Sequence, residues 1–282
     1  AGITGTMEKG ARQMWESLKR FAALPDHIQV HPAHGAGSAC GKALGAVPSS
    51  TVGYEKIVNW ALQHTNEEAF VQDLLSGQPE PPVYFAMMKK LNKVVRDLVV
   101  DVPQVPQLTM EQVDAALADR RHVVDTRNKV SFAGGHLPGS VNIQNNKSFS
   151  TWAGWVLNYE EPFVLIAAPE HVEVLTRKLM RIGLDNIQGY YPNVSDWQEH
   201  GHDLQVLQQV ELDELQNIFQ SEGITVLDVR GYTEHTSGHI PGAMNIHVGY
   251  LLGHLGELPT SGTLVVACQG GDRSSIARSL LQ

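Results

Sequence analysis

Cysteine is nearly absent from this sequence: Cys40 and Cys268 are the only two in 282 residues. Two thiols so far apart build no disulfide framework, and a reducing, cytoplasmic setting is the expectation. Basic residues are also scarce, 21 Lys and Arg against 30 Asp and Glu, for a net charge of −9. Nucleic-acid binding needs a basic footprint, so that class is set aside. No apolar run approaches the ~18–20 residues a membrane helix requires. Ala1 opens a polar, Gly-containing stretch without the basic and apolar regions of a signal peptide. An initiator Met is missing too, which suggests a processed or partial chain. What the chain does have is 42% hydrophobic and only 18% charged residues, enough to bury real cores in roughly two domains of about 150 residues.

The strongest internal signal is a repeat. Val123-Val124-Asp125-Thr126-Arg127 matches Val226-Leu227-Asp228-Val229-Arg230, and Gly135-His136-Leu137-Pro138-Gly139-Ser140-Val141-Asn142-Ile143 matches Gly238-His239-Ile240-Pro241-Gly242-Ala243-Met244-Asn245-Ile246, at one spacing without a gap. Each copy reads as α/β. In the first, Thr109-x-x-Gln112 is a capping box before an apolar-periodic helix. A strand at 122–125, the turn motif, an apolar strand at 163–168, a helix through Val172, Leu175, Leu179 and Ile182, and a strand at 186–190 follow. The second copy repeats this order with a helix at 213–220, strands at 225–229 and 263–267, and a helix from Asp272. Strands alternating with helices predict open, mostly parallel sheets. The second copy stops where the first still has a strand and a helix to come, so a fragment is expected.

The chemistry lies after the strand at 263–267. There Cys268-Gln269-Gly270-Gly271-Asp272-Arg273-Ser274 runs directly into a helix. At a helix N-terminus the unpaired N–H groups and the dipole favour an anion. Two glycines let successive N–H groups turn inward as a nest. The reactive form of cysteine is the thiolate, and such a site lowers its pKa. Arg273 adds positive charge. The expectation is a cysteine nucleophile in an anion cradle; a buried structural cysteine would not need Gly-Gly and Arg behind it.

Asp228-x-Arg230, Gly238-His-Ile-Pro-Gly-Ala243 and the Cys268-x4-Arg273 loop resemble the rhodanese (sulfurtransferase) family. The resemblance implies that Cys268 carries sulfane sulfur as a persulfide, cradled by the backbone of Gln269, Gly270, Gly271, Asp272 and Ser274, with Arg273 beside it. Phosphatase relatives have five residues between Cys and Arg; here there are four, which favours sulfur transfer. Gln269 stands where a basic residue is common and Asp272 adds negative charge, so a thiol-borne persulfide or polysulfide is expected as donor in preference to thiosulfate. Asp228 and Arg230 are expected to form an ion pair that supports the loop, and His239 to hydrogen-bond locally within a structural turn. The first copy has Ala167 opposite Cys268 and neither Gly-Gly nor Arg after it, so it is expected to be catalytically silent, a spacer or docking surface. Its Trp152-Ala-Gly-Trp155 stretch is expected to serve plain core packing, with contact to a neighbouring domain as the alternative.

In the first hundred residues, a helix from Thr6, a strand at 28–31, helices at 54–64, 67–76 and 84–98, and a Gly-rich loop holding His34 and Cys40 are expected. Leu24-Pro-Asp26, Pro32-Ala-His-Gly-Ala-Gly-Ser-Ala-Cys-Gly41, Thr51-Val-Gly-Tyr-Glu55 and Asn59 resemble the C-terminal part of metallo-β-lactamase-fold proteins, nearest to persulfide dioxygenases fused to two rhodanese domains. That resemblance places His34 at a metal centre, with Fe(II) expected in the intact protein and zinc as the alternative. Cys40 would be either a second sulfur-handling thiol or a buried loop cysteine. The fold's H-x-H-x-D-H motif is absent from the chain; His200-Gly-His202-Asp203 has the wrong spacing, and His31 with His34 supplies too few ligands.

The expected architecture is therefore α/β: the C-terminal part of a metallo-β-lactamase αββα fold (1–105), then a silent rhodanese-like domain (106–204) and a rhodanese domain carrying the active-site Cys (205–282). The expected function joins persulfide oxidation to sulfite with sulfur transfer at Cys268. The partners expected are small sulfur donors and acceptors such as glutathione, and a further copy of the chain in a homo-oligomer. Two rivals are a zinc thioester hydrolase with rhodanese domains and a non-enzymatic tandem docking or sulfur-sensing module.

Overall fold

The computed structural model of the chain describes residues 6–33, 47–78, 82–96, 98–211, 213–215 and 223–282. It divides into two compact units at residues 81–82, upstream of the Pro-punctuated stretch at 101–106. In the first unit, the helices Thr6–Ala22 and Glu67–Leu75 bury Ala11, Trp15, Phe70 and Val71 against one another. The rings of Trp15 and Phe70 stand 5.3 Å apart. β1 (Gln29–Val30) and β2 (Ser50–Thr51) pair antiparallel.

The one helix expected at 54–64 is two, Val52–Val58 and Trp60–Gln63. Asn59 leaves helical geometry at ψ 112°, and its side chain accepts the Ala61 N–H at 3.1 Å, so it ends one helix and caps the next. The string Asp26, Gly53, Glu55 and Asn59 closes on itself. Gly53 N–H donates to Asp26 O at 3.0 Å, and Asn59 Nδ2 to Glu55 at 2.8 Å. His34 and Cys40 lie outside the described residues.

In the second unit the helix Tyr84–Leu91 ends well before the expected Leu98. Tyr84 and Met88 pack on the first repeat's core, whereas Val94, Val95 and Leu98 are exposed, so beyond Leu91 no buried face supports another turn. The first repeat follows: the helix Met110–Ala118 with the Thr109–Gln112 capping box complete, β3 (Val123–Asp125), the helix Lys129–Gly134, β4 (Val141–Asn142), the helix Phe149–Val156, β5 (Phe163–Ile166), the helix Pro169–Met180, β6 (Ile187–Tyr191) and a last helix, Ser195–Glu199. Its sheet runs β4-β3-β5-β6, all parallel. Every residue of β5 is buried, as expected of a central parallel strand covered on both faces. Val124, Phe163 and Leu165 face one core layer, while Val123, Val164 and Ile166 face the other.

The second repeat has β7 (Ile224–Asp228), the helix Tyr232–Ser237, β8 (Met244–Asn245), a 3-10 stretch at Val248–Glu257, β9 (Thr263–Ala267) and the helix Asp272–Leu280. Its sheet runs β8-β7-β9, again parallel. The helix expected at 213–220 falls mostly outside the described residues. The α/β class with parallel sheets stands as read from the sequence. Among the described residues no helix is long and apolar enough to cross a membrane.

The turn motifs of the two repeats match down to single hydrogen bonds. Arg127 forks onto Asp125 and donates to Gly135 O at 2.8 Å; Arg230 forks onto Asp228 and donates to Gly238 O at 2.7 Å. Asn142 Nδ2 ties Asp125 O to Arg127 O, as Asn245 Nδ2 ties Asp228 O to Arg230 O. Gly139 and Gly242 both adopt φ +80°, a left-handed turn that favours glycine.

Candidate active site

The strand β9 ends at Ala267, whose carbonyl accepts Val229 N–H; β5 ends at Ile166, whose carbonyl accepts Thr126 N–H. The match places Ala167 at the position of Cys268. The first repeat's helix then starts at Pro169, whereas the second repeat inserts a longer Cys268–Gly271 loop before Asp272. Gly271 sits at φ +88°, ψ −14° as the helix N-cap. That left-handed turn folds the chain back, so Gly271 N–H points at Cys268 Sγ at 3.0 Å. Ser274 N–H reaches the same sulfur at 3.4 Å, and Ser274 Oγ lies 3.5 Å from it.

Burial pushes the Cys268 thiol up. The Ser274 hydroxyl and the backbone N–H groups of Ser274, Gly270 and Gly271 outweigh it, and the thiol lies below its ordinary range. Of the five residues expected around the sulfur, Gly270, Gly271 and Ser274 supply these donors.

Arg273 does not stand over the sulfur as a free cation. Its guanidinium is held by both oxygens of Glu234, at 2.5 and 2.9 Å. Glu234 in turn sits low in the carboxylate range, chiefly because of Arg273. Sequence reasoning missed Glu234. The signal was available in the repeat: the first copy, without the Arg, has Ser131 at the matching position.

Asp228 is 3% exposed. Burial pushes its carboxyl up, but Arg230 and His235 hold it down, to about 2. The Asp228–Arg230 pair forms as expected. It braces the Gly238 turn, and the carboxylate next to the Cys268 loop is Glu234. His239 Nδ1 lies 2.8 Å from His235 O, and the two imidazoles stack at 3.8 Å, the counterpart of Phe132 on His136 at 3.9 Å.

The side chain of Asp272 is held by the first repeat. Lys129 Nζ, from the first repeat, donates to it at 2.7 Å, and Asn146 Nδ2 donates to its other oxygen at 2.9 Å. Its negative charge is thus paired with Lys129. Gln269 is exposed.

The first repeat is also docked more widely. Ser275 Oγ donates to Asn142 Oδ1 at 2.7 Å, and Asn142 N–H donates to Ser279 Oγ at 3.1 Å. Trp155 meets His247 and Tyr250 at 5.0 and 5.1 Å, and Trp152 joins the cores of both repeats. The tryptophan pair therefore packs the core and binds the neighbouring repeat at once.

Among the described residues, no three His, Cys, Asp or Glu side chains converge as a metal site. The donors present there do not fit an iron or zinc centre.

In the second repeat a parallel strand beside β7 thus delivers a cysteine into an N–H cradle at a helix start. The Rhodanese-like domain family matches residues 109–200 and 211–282, and the chain belongs to it. A metallo-beta-lactamase from Staphylococcus aureus is similar at 42% identity over 68% of this chain and 53% of that one, with a TM-score of 0.57. This chain thus spans about half the length of that protein. The matched share is larger than the part of the chain outside the rhodanese-like matches, so the likeness runs into the repeats. An HTH-type transcriptional regulator of Mycobacterium tuberculosis is 43% identical over 47 residues, 17% of this chain and 21% of that protein. A thiosulfate sulfurtransferase from Pseudomonas aeruginosa aligns at 20% identity over 63% of this chain and 41% of that one, with a TM-score of 0.32, too low to bear on the fold.

Proposed function

We propose that the second repeat is a rhodanese-type sulfurtransferase with Cys268 as the sulfur carrier. The observation that carries this reading is the sulfur's position under the Gly271 and Ser274 N–H groups. In the first step the Cys268 thiolate attacks the outer sulfur of a thiol-borne persulfide. The S–S bond of the donor breaks, the donor thiolate leaves and takes up a proton, and Cys268 holds the sulfur as a persulfide. The N–H groups that held the thiolate stabilise the persulfide anion without reorganising. In the second step an acceptor thiolate attacks the outer sulfur and releases the Cys268 thiolate. Glu234 keeps Arg273 fixed at the loop.

The same reading extends to the first unit. The chain's likeness to a metallo-beta-lactamase supports a protein that joins sulfur transfer to the oxidation of a thiol persulfide to sulfite. The described residues carry no step of that oxidation.

Incubation with glutathione persulfide or polysulfide, followed by peptide mass spectrometry, tests the transfer. One added sulfur on Cys268, removed by cyanide or a thiol, is expected; an unmodified Cys268 overturns the reading. Oxygen uptake with persulfide as substrate tests the extension. Thioester cleavage without oxygen uptake would overturn it.

A further inference from the structure

Lys129 belongs to the repeat that has no nucleophile, yet its ammonium donates to the carbonyl of Gly270 as well as to Asp272. A trans peptide directs its C=O and the following N–H in opposite directions. The carbonyl of Gly270 and the N–H of Gly271 share one such peptide. Whatever holds that carbonyl outward therefore aims the N–H inward, at Cys268 Sγ 3.0 Å away. Two glycines flank the peptide, so little in its own backbone resists a flip.

The Lys129 stem lies against Gly271, where an added Cβ would meet its Cδ and Cε at 3.1 Å. Lys129 is itself anchored: its backbone N–H donates to Gln144 Oε1 at 2.9 Å. Neighbouring Asn146 holds the other oxygen of Asp272. At the repeat spacing, Lys129, Gln144 and Asn146 correspond to Tyr232, His247 and Gly249. The residues that grip the loop are thus ones in which the silent copy differs from the active one.

We infer that Lys129 is a positioning residue for the cradle: by holding the Gly270 carbonyl it orients the Gly270–Gly271 peptide toward the sulfur of Cys268, so that the active site is shared by both repeats. The inference rests on the proposed role of Cys268, but its test does not need sulfur transfer. Iodoacetamide alkylation of Cys268, followed by peptide mass spectrometry across pH, reads thiolate formation directly.

Lys129→Met is expected to raise the alkylation midpoint by about 0.5–1 pH unit, a three- to tenfold loss of thiolate below it. Lys129→Arg, which keeps the donor, is expected to restore the midpoint. Asn146→Ala loosens the same interface without touching the Gly270 carbonyl and is expected to leave it in place. The Lys129→Met shift is expected to persist at 0.5 M salt, where through-space attraction is screened to about 3–5 Å. If Lys129→Met melts at the assay temperature, Lys129→Leu is read in its place.

An unshifted midpoint overturns the inference, as does an equal shift in Asn146→Ala or a shift abolished by salt. A wild-type Cys268 that alkylates with a lowered midpoint yet takes up no sulfur would instead overturn the sulfurtransferase reading and leave the Lys129 result standing.

Discussion

Cys268 is under two opposing influences. Burial favours the neutral thiol, while the Ser274 hydroxyl and three backbone N–H groups favour the thiolate, and the donors win. Alkylation of Cys268 is therefore expected to follow a midpoint below that of an ordinary thiol. Ser274→Ala, which removes one donor, is expected to raise it by up to about one pH unit, measured by the pH profile of the alkylation rate. Glu234→Gln is expected to lower sulfur transfer about tenfold without changing the alkylation midpoint as much, because it frees Arg273 and leaves the N–H cradle intact. Stopped assays with a persulfide donor would check it.

Asp228 bears on stability in place of chemistry. Its folded carboxyl sits near 2, below its unfolded value, so its contribution is full above about pH 4 and fades as the pH falls toward 2. Asp228→Asn is expected to cost about 2 kcal/mol at neutral pH, with the difference from wild type falling below about 1 kcal/mol at pH 2.5. Urea titrations at pH 7 and pH 2.5 would show this.

At the scale of elements, the two copies of one motif differ in the link from β5 or β9 to the helix that follows it. In the first, Pro169 starts the helix almost at once, at a position where its missing N–H costs nothing. In the second, Gly270 and Gly271 lengthen the link and bend it into a nest. This difference was legible, because Gly-Gly and Pro have opposite backbone habits. The helix Phe149–Val156 was not foreseen as such, and its Trp155 seats against Gly249, where an added Cβ would overlap the indole ring. Gly249→Ala is expected to lower the melting temperature by several degrees. Trp155→Ala is expected to cost about 3–5 kcal/mol. Differential scanning calorimetry would measure both.

At the scale of the second unit, the repeats share cores as well as contacts. Trp152 and Val156 of the first repeat and Leu280 of the second each pack against both hydrophobic clusters. The repeats are therefore expected to unfold as one cooperative step, with the far-ultraviolet circular dichroism and the exposure of Cys268 to alkylation changing at the same urea concentration. Two separated transitions would show that the shared residues do not couple them.

The sequence by itself determined the repeat, the parallel α/β class, the turn motifs, the cysteine loop and the lack of a matching thiol in the first copy. Each of these is local: a strand's apolar run, a glycine's φ or a missing thiol is written in consecutive residues. Only the tertiary structure decided what holds Arg273, where the charge of Asp272 goes, and which repeat steadies the cradle. Glu234 lies 39 residues from Arg273, and Lys129 lies 143 from Asp272. No period or spacing records such a distance; folding alone brings one copy's lysine onto the other copy's peptide.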